Sequence, residues 1–117
     1  MSKSVLIVDD SLVSRMMIKE IISSKHSDWE FVHAKNSEDA VNLSEGKQFD
    51  FITLDLNMPG KTGLEVAPNL KELHPNARIV LMTANIQTAV KDQATKLGLE
   101  FVCKPITEES VLGFIEA

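Results

Sequence analysis

Short apolar segments alternate with amphipathic segments along the whole chain. Five apolar runs, rich in β-branched and aromatic residues, are typical of strands that a sheet buries on both faces. These predicted strands cover residues 5–8, 29–34, 49–54, 77–81 and 101–103. The second run alternates partly between apolar and polar residues, which favours a position nearer the edge of the sheet.

A segment with helical spacing of its apolar residues follows each predicted strand. The first helix begins after a capping Ser11 and extends to residue 23 or 24. Its apolar face is predicted to consist of Leu12, Val13, Met16, Met17, Ile21 and Ile22. Asn36 and Asp39 resemble a capping box for the second helix, and Thr107 caps a last helix of about ten residues. The fourth helix covers residues 86–97 and stops at Gly98.

The third helical segment, residues 63–73, contains a proline at position 68. A proline inside a helix costs about 3 kcal/mol because it removes a hydrogen bond and clashes with the preceding turn. Two interpretations stay open: the helix starts late, near Pro68, or it is kinked there. Its apolar stripe is predicted to be Leu64, Ala67, Leu70 and Leu73.

Strand and helix alternate five times with short connections, which predicts an α/β domain. Such a pattern is typical of a parallel sheet with helices on both faces. The 117 residues suffice for one domain, and the sequence contains no repeat, linker or low-complexity tract.

Charge and composition exclude several classes of function. The net charge of −5 and the absence of Lys or Arg clusters argue against a nucleic-acid surface or a membrane surface. No apolar stretch approaches the 20 residues of a membrane-spanning helix, and no signal-peptide pattern is present. The single cysteine excludes an internal disulfide. We therefore expect a cytoplasmic protein.

Polar residues of a specific kind follow four of the five predicted strands. Asp9 and Asp10 follow the first strand, Asp55 the third, Thr83 the fourth and Lys104 the fifth. Parallel strands end at one edge of a sheet, so these groups are predicted to meet there. Three carboxylates repel one another unless a cation joins them, and Mg²⁺ prefers oxygen ligands of this kind. A lysine and a hydroxyl could hold phosphoryl oxygens, so the group predicts phosphoryl transfer to a carboxylate.

Each of these residues also has a purely structural interpretation. Asp55 could be a turn residue, and Asp9-Asp10 could complement the dipole of the helix that follows. Thr83 could be a loop cap and Lys104 a strand exit. Their joint placement at successive strand ends favours the chemical interpretation.

Four segments together resemble the receiver domain of bacterial two-component response regulators. They are residues 5–11, residues 54–60 with Gly63, residues 82–84, and Lys104-Pro105. The resemblance spans essentially the whole chain, residues 1–117, and leaves no output domain. It is nearest to the stand-alone, chemotaxis-regulator-like type. It implies a flavodoxin-like, doubly wound sheet with strand order 2-1-3-4-5.

The resemblance also implies a role for each residue of the edge. Asp55 would accept a phosphoryl group from a phosphohistidine. Asp10 and Asp55 would bind Mg²⁺ directly, together with the backbone carbonyl of Asn57, and Asp9 would act through a metal-bound water. Lys104 would pair with the phosphoryl group.

The remaining implied roles concern switching and phosphoryl lifetime. Thr83 and Phe101 would form the switch that changes the face made by the fourth helix, fifth strand and fifth helix. Asn57 and Asn85 would tune dephosphorylation, and the Lys104–Pro105 peptide bond would be cis.

Partners follow from the same resemblance. A sensor histidine kinase or a histidine phosphotransfer protein would supply the phosphoryl group, and a downstream protein and a phosphatase would respond to it. The chain would be a regulatory phosphoacceptor rather than an enzyme, and either a monomer or a weak phosphorylation-dependent dimer. Two alternatives within the family are a phosphorelay intermediate and an interaction-only receiver that is not phosphorylated.

Two classes outside the family fit less well. Dehalogenase-like phosphatases use a second acid two residues after the nucleophile, where this chain has Asn57, and no cap domain is present. A nucleotide or flavin module would need a glycine-rich turn after the first strand, where this chain has two aspartates.

Overall fold

Five strands and five helices alternate in the computed structural model, which describes residues 2–117. Met1, which belongs to the predicted domain, lies outside the described residues. The strands are β1 (Ser4–Val8), β2 (Glu30–Ala34), β3 (Phe51–Asp55), β4 (Arg78–Thr83) and β5 (Glu100–Cys103). The helices are α1 (Leu12–Lys25), α2 (Ser37–Leu43), α3 (Gly63–Leu73), α4 (Thr88–Lys96) and α5 (Glu108–Ile115).

All five strands are parallel and form one sheet in the order β2-β1-β3-β4-β5. The order and the fold class are those implied by the resemblance, and β2 lies at an edge as its partial alternation predicts. Side chains alternate between the two faces of the central strands. Val5 and Ile7 of β1 pack on one face, and Leu6 and Val8 pack on the other.

Two apolar cores cover the two faces of the sheet. One contains buried residues of α1 and α5 with Val5, Ile7 and Phe51. The other contains buried residues of α2, α3 and α4 with Leu6 and Leu54. Because both faces are covered, the central strands are apolar along most of their length, and polar side chains can gather only at strand ends.

The predicted apolar face of α1 is wrong for four of its six residues, since only Ile22 is buried and Ile21 is partly buried against the core. Ile18 and Ile22 are its buried residues, whereas the side chains of Leu12, Val13, Met16 and Met17 are 62%, 68%, 53% and 41% exposed. At about 100° per residue, these four lie roughly opposite the Ile18–Ile22 stripe on the helix surface. We call them the outer face of α1. Helix α1 therefore has two apolar sides, of which only one packs on the sheet.

Helix α3 begins at Gly63 and continues through Pro68 to Leu73, so the late start near the proline is wrong. Its first turn is fixed by a capping box in which Thr62 and Glu65 exchange backbone and side-chain hydrogen bonds. Its buried residues are Gly63, Val66, Ala67 and Leu70. The predicted stripe omitted Val66 and included Leu73, which is exposed.

Several predicted boundaries move by a few residues. Strands β3 and β4 end one and two residues later than their predicted bounds, at Asp55 and Thr83. Ile86 precedes α4 and is 61% exposed. Helix α5 is eight residues long, capped by Thr107 as predicted. Within residues 2–117, every helix is too short or too polar to cross a membrane.

Candidate functional site

The polar residues predicted to meet at the carboxyl edge of the sheet do so. Asp9 follows β1, Asp55 ends β3 and Lys104 follows β5, and the Lys104 side chain contacts both acids. Asp10 adds a third carboxylate next to Asp9. One carboxylate oxygen from each aspartate lies within 4.8 Å of the other two.

Lys104 is the cation that joins two of these acids. Its Nζ lies 3.1 Å from Oδ2 of Asp9 and 3.2 Å from Oδ1 of Asp55. Asp9 is only 1% exposed and Asp55 only 6% exposed, whereas Asp10 is exposed to solvent. The ammonium group therefore provides the direct positive counter-charge for two carboxylates that have little access to water.

The surroundings shift the protonation of this group. Burial raises the pKa of Asp55 most, the charge of Asp9 raises it further, and Lys104 offsets only part of the rise. Burial lowers the pKa of Lys104, but its hydrogen bond to Asp9 and the charges of Asp55 and Asp9 outweigh that effect, so the pKa is raised. Lys104 thus stays charged at neutral pH, while Asp55 lacks sufficient positive charge around its ionised form.

The donor set suits a small divalent cation. Three ionised carboxylates and one ammonium group leave two negative charges uncompensated, which is the charge that one Mg²⁺ balances. Oxygen ligands are those that Mg²⁺ prefers, and opposite ligands of this ion are about 4 Å apart. The aspartates therefore fit a magnesium site. Asn57 is exposed and lies two residues after Asp55, in the loop that follows β3.

Gly63 packs against the main chain of Asp55, a contact that the sequence did not predict. A Cβ atom on Gly63 would overlap the backbone carbonyl oxygen of Asp55 and approach Leu81. The Gly63 amide also donates to the Leu56 carbonyl at 2.9 Å. Between these residues, Gly60 has a φ of +80°, which favours glycine at the turn. In the sequence, Gly63 was only part of the motif that carries the family resemblance, with no contact assigned to it.

Thr83 ends β4, the strand next to β3, and its side chain is held by the loop that follows it. Its side chain is buried, and its Oγ1 accepts a hydrogen bond of 3.1 Å from the Asn85 amide. The Asn85 side chain in turn accepts from the Gln87 amide at 3.0 Å. Since the Thr83 hydroxyl only accepts in this contact, its proton stays available for another acceptor.

The other predicted switch residue is Phe101, on the strand that leads to Lys104. Phe101 is half-buried on β5, opposite Leu81, and Lys91 of α4 lies 5.5 Å from the centre of its ring. The Lys104–Pro105 peptide bond is cis. The Lys104 amide donates to the Thr83 carbonyl at 3.0 Å, which ties the end of β5 to the end of β4.

The raised pKa of Asp55 predicts a stability change. Without divalent cations, Asp55→Asn is expected to raise the free energy of unfolding at pH 7, because the folded state holds the ionised carboxylate unfavourably. Since the pKa is higher in the folded state, the gain should shrink as the pH falls through that pKa towards the ordinary aspartate value. Urea unfolding between pH 7 and pH 4 measures this, with the exposed Asp28→Asn as control. A gain that is constant with pH would contradict the assignment.

Comparisons with known proteins agree with this arrangement. The family model described as the response regulator receiver domain matches residues 5–116. The chemotaxis protein CheY of Thermotoga maritima is 34% identical over 114 residues, which cover 96% of this chain and 93% of that protein.

Two solved structures show the same fold. One is a response regulator from Burkholderia pseudomallei with a phosphorylated aspartic acid, a calcium ion and citrate, with a TM-score of 0.86 and 30% identity over 96% of this chain and 65% of that one. The other is the CheX–CheY–BeF3–Mg²⁺ complex from Borrelia burgdorferi, with a TM-score of 0.84 and 28% identity over 97% of this chain and 86% of that one. The chain therefore belongs to the family of response regulator receiver domains, of the CheY-like kind used in two-component signalling.

Proposed function

We propose that this chain is a phosphorylation-switched receiver that accepts a phosphoryl group from a histidine kinase on Asp55. The observation that carries the proposal is the contact of the buried Asp55 with Lys104 beside two further carboxylates. A buried acid among acids is a costly arrangement unless positive charge arrives, and a phosphoryl donor that binds with Mg²⁺ brings an electrophile to the same place.

The proposed transfer uses the side chains at this edge of the sheet. An Asp55 oxygen attacks the phosphorus of a phosphohistidine, the bond from nitrogen to phosphorus breaks, and the histidine ring keeps the electron pair. Lys104, now next to Asp55, pairs with a phosphoryl oxygen as negative charge accumulates there. Asp9, Asp10, Asp55 and the Asn57 carbonyl would hold Mg²⁺, and the bound ion would supply positive charge during the transfer.

The product is a phosphoaspartate that the chain can sense. The Thr83 hydroxyl donates to a phosphoryl oxygen while it continues to accept from the Asn85 amide. Movement of the loop after β4 alters the space for Phe101 and thereby the face made by α4, β5 and α5, which contacts the downstream protein. By their match to the family pattern, Asn57 and Asn85 influence how water reaches the phosphoaspartate and therefore its lifetime. The chain is thus a regulatory phosphoacceptor that assists its own phosphorylation rather than an enzyme.

The outer face of α1 is the surface proposed to dock the phosphoryl donor. Leu12, Val13, Met16 and Met17 are exposed together and start two residues after Asp10. Ile86, also exposed, lies three residues after Thr83. Grouped exposed apolar side chains mark protein interfaces, and flexible methionines adapt to a partner surface. A kinase histidine must approach Asp55 past the edge that these residues border.

A further partner is proposed from the family. The similar Borrelia burgdorferi protein forms a complex with CheX in the presence of BeF3 and Mg²⁺. We extend this to a phosphatase that recognises the phosphorylated form of this chain.

Phosphorylation is tested with a small donor and intact mass measurement. Acetyl phosphate with Mg²⁺ is expected to add one phosphoryl group to the wild-type chain and none to Asp55→Asn. Asp50→Asn, at the opposite end of the same strand segment, is the control and should be labelled normally. Chelation of Mg²⁺ should abolish labelling. A wild-type chain that gains no mass, or an Asp55→Asn variant that gains it, would contradict the proposal.

Docking through α1 is tested with two donors. Met16→Lys should slow transfer from the histidine kinase that phosphorylates the wild type fastest by about tenfold, because one interface anchor is worth about 1–2 kcal/mol. Labelling by acetyl phosphate should not change, because that donor needs no protein surface. Leu73→Lys, an exposed leucine at the far end of α3, is the matched control. Kinase transfer to Met16→Lys at the wild-type rate would refute the docking surface.

A further inference from the structure

Arg15 reaches back from α1 to the strand end that carries the first two acids. Its Nη1 donates a hydrogen bond of 2.6 Å to the main-chain carbonyl of Asp9. At about 100° per residue, Arg15 lies on the helix side that carries Ile18 and Ile22, so its half-buried side chain faces the sheet. Burial lowers the pKa of His33 on β2, and the nearby positive charges of Arg15 and Lys19 lower it further.

The Asp9 carbonyl needs a donor from outside the sheet. Strand β1 ends at Val8, and the Asp9 amide makes the last bond to β2, at 3.0 Å to the Ala34 carbonyl. The chain then turns into α1, so the next ladder bond is missing. Asp9 is buried, and a buried carbonyl without a hydrogen-bond partner destabilises the folded chain. Arg15 supplies the partner that the sheet cannot.

This contact fixes more than Asp9. The Asp9 carbonyl and the Asp10 amide belong to one planar peptide unit, so its orientation determines where Asp10 starts. The Asp9 side chain is held separately, by the Ser11 amide at 2.9 Å and by Lys104. Within residues 2–117, no hydrogen bond or ion pair to protein holds the exposed Asp10 carboxylate. Its position relative to Asp55 therefore comes from the backbone that Arg15 holds.

We propose that Arg15 is a positioning residue that sets the Asp9-Asp10 peptide so that both carboxylates face one divalent cation. The inference rests on the magnesium site of the proposed function and adds a residue to it. Arg15 does not touch the ion or the phosphoryl group in this proposal. It acts only through the Asp9 carbonyl.

Charge alone predicts the opposite change in Mg²⁺ affinity when Arg15 is replaced, so the direction of the change tests the proposal. A positive guanidinium near a cation site repels the cation, so its removal should tighten Mg²⁺ binding if charge were its only effect. Lys19, one turn further along α1 and exposed, carries the same charge near His33 without contacting Asp9. Lys19→Met thus measures the effect of charge alone.

The experiment compares Mg²⁺ dissociation constants of the full chain by calorimetry or by amide NMR shifts. Arg15→Met keeps the length of the side chain but loses the donor, and should weaken Mg²⁺ binding by about tenfold or more. Arg15→Lys retains a donor and should recover most of that loss. Lys19→Met should bind Mg²⁺ as tightly as the wild type or slightly more tightly. Urea unfolding verifies that each variant is folded, and Arg15→Leu, which also lacks a donor, replaces Arg15→Met if the latter is not.

The Asp10→Asn variant distinguishes a failure of the Arg15 role from a failure of the proposed function. If Asp10→Asn weakens Mg²⁺ binding but Arg15→Met binds as tightly as the wild type or more tightly, the positioning role is overturned and the proposed function stands. If the wild type binds no Mg²⁺, both are overturned. In the metal-free protein, Arg15→Met should also shift the amide resonances of Asp10 and Ser11, whereas Lys19→Met should not. Unshifted resonances in Arg15→Met would likewise overturn the role.

Discussion

Repulsion among three carboxylates at one edge of the sheet is the constraint on which the rest of the structure depends. Asp9 and Asp55 are buried and share the single ammonium group of Lys104, while Asp10 adds a further negative charge beside them. Such a cluster lowers the stability of the folded chain unless a cation or a proton joins it. The same imbalance favours binding of a divalent cation, on which the proposed phosphoryl transfer depends. Low stability of the metal-free cluster and its fit to a cation thus have one cause.

The parallel sheet is what brings these charges together. Residues distant in sequence reach one edge because each strand ends there, and the apolar helices on both faces leave polar side chains no other place to gather. Backbone contacts then refine the positions. Gly63 permits α3 to begin against the carbonyl of Asp55, and Arg15 holds the carbonyl of Asp9. Both contacts act on the main chain of an acid and not on its carboxylate.

The sequence predicted this arrangement at the level of segments. Near-continuous apolar runs are a strong signal because a strand buried on both faces tolerates few polar residues, and acids directly after such runs are conspicuous. The strand order came from resemblance to a family, because periodicity does not determine which strands pair. The contacts made by Arg15 and Gly63 could not be predicted, because every residue has a main-chain carbonyl and the sequence does not show which one is contacted.

Helix α1 shows why helical spacing alone misleads. Apolar residues occupy two opposite sides of it, and spacing fits either side as the buried one. Burial chose Ile18 and Ile22, and it left Leu12, Val13, Met16 and Met17 exposed at the edge that carries the acids. Pro68 misleads in the opposite direction, because a strong capping box at Thr62 and Glu65 and the buried residues on both sides of the proline keep α3 continuous. Local propensity yields to packing in both helices.

The cation site formed by the three carboxylates is tested most directly by the dependence of folding stability on Mg²⁺ concentration. An ion bound only by the folded state raises the free energy of unfolding by about 1.4 kcal/mol for each tenfold increase in concentration above its dissociation constant. At pH 7 and constant ionic strength, urea unfolding of the wild-type chain should follow this dependence, and Asp10→Asn should remain nearly flat. A wild-type stability that does not change with Mg²⁺, or an equal rise in Asp10→Asn, would contradict the claim that these carboxylates form a cation site.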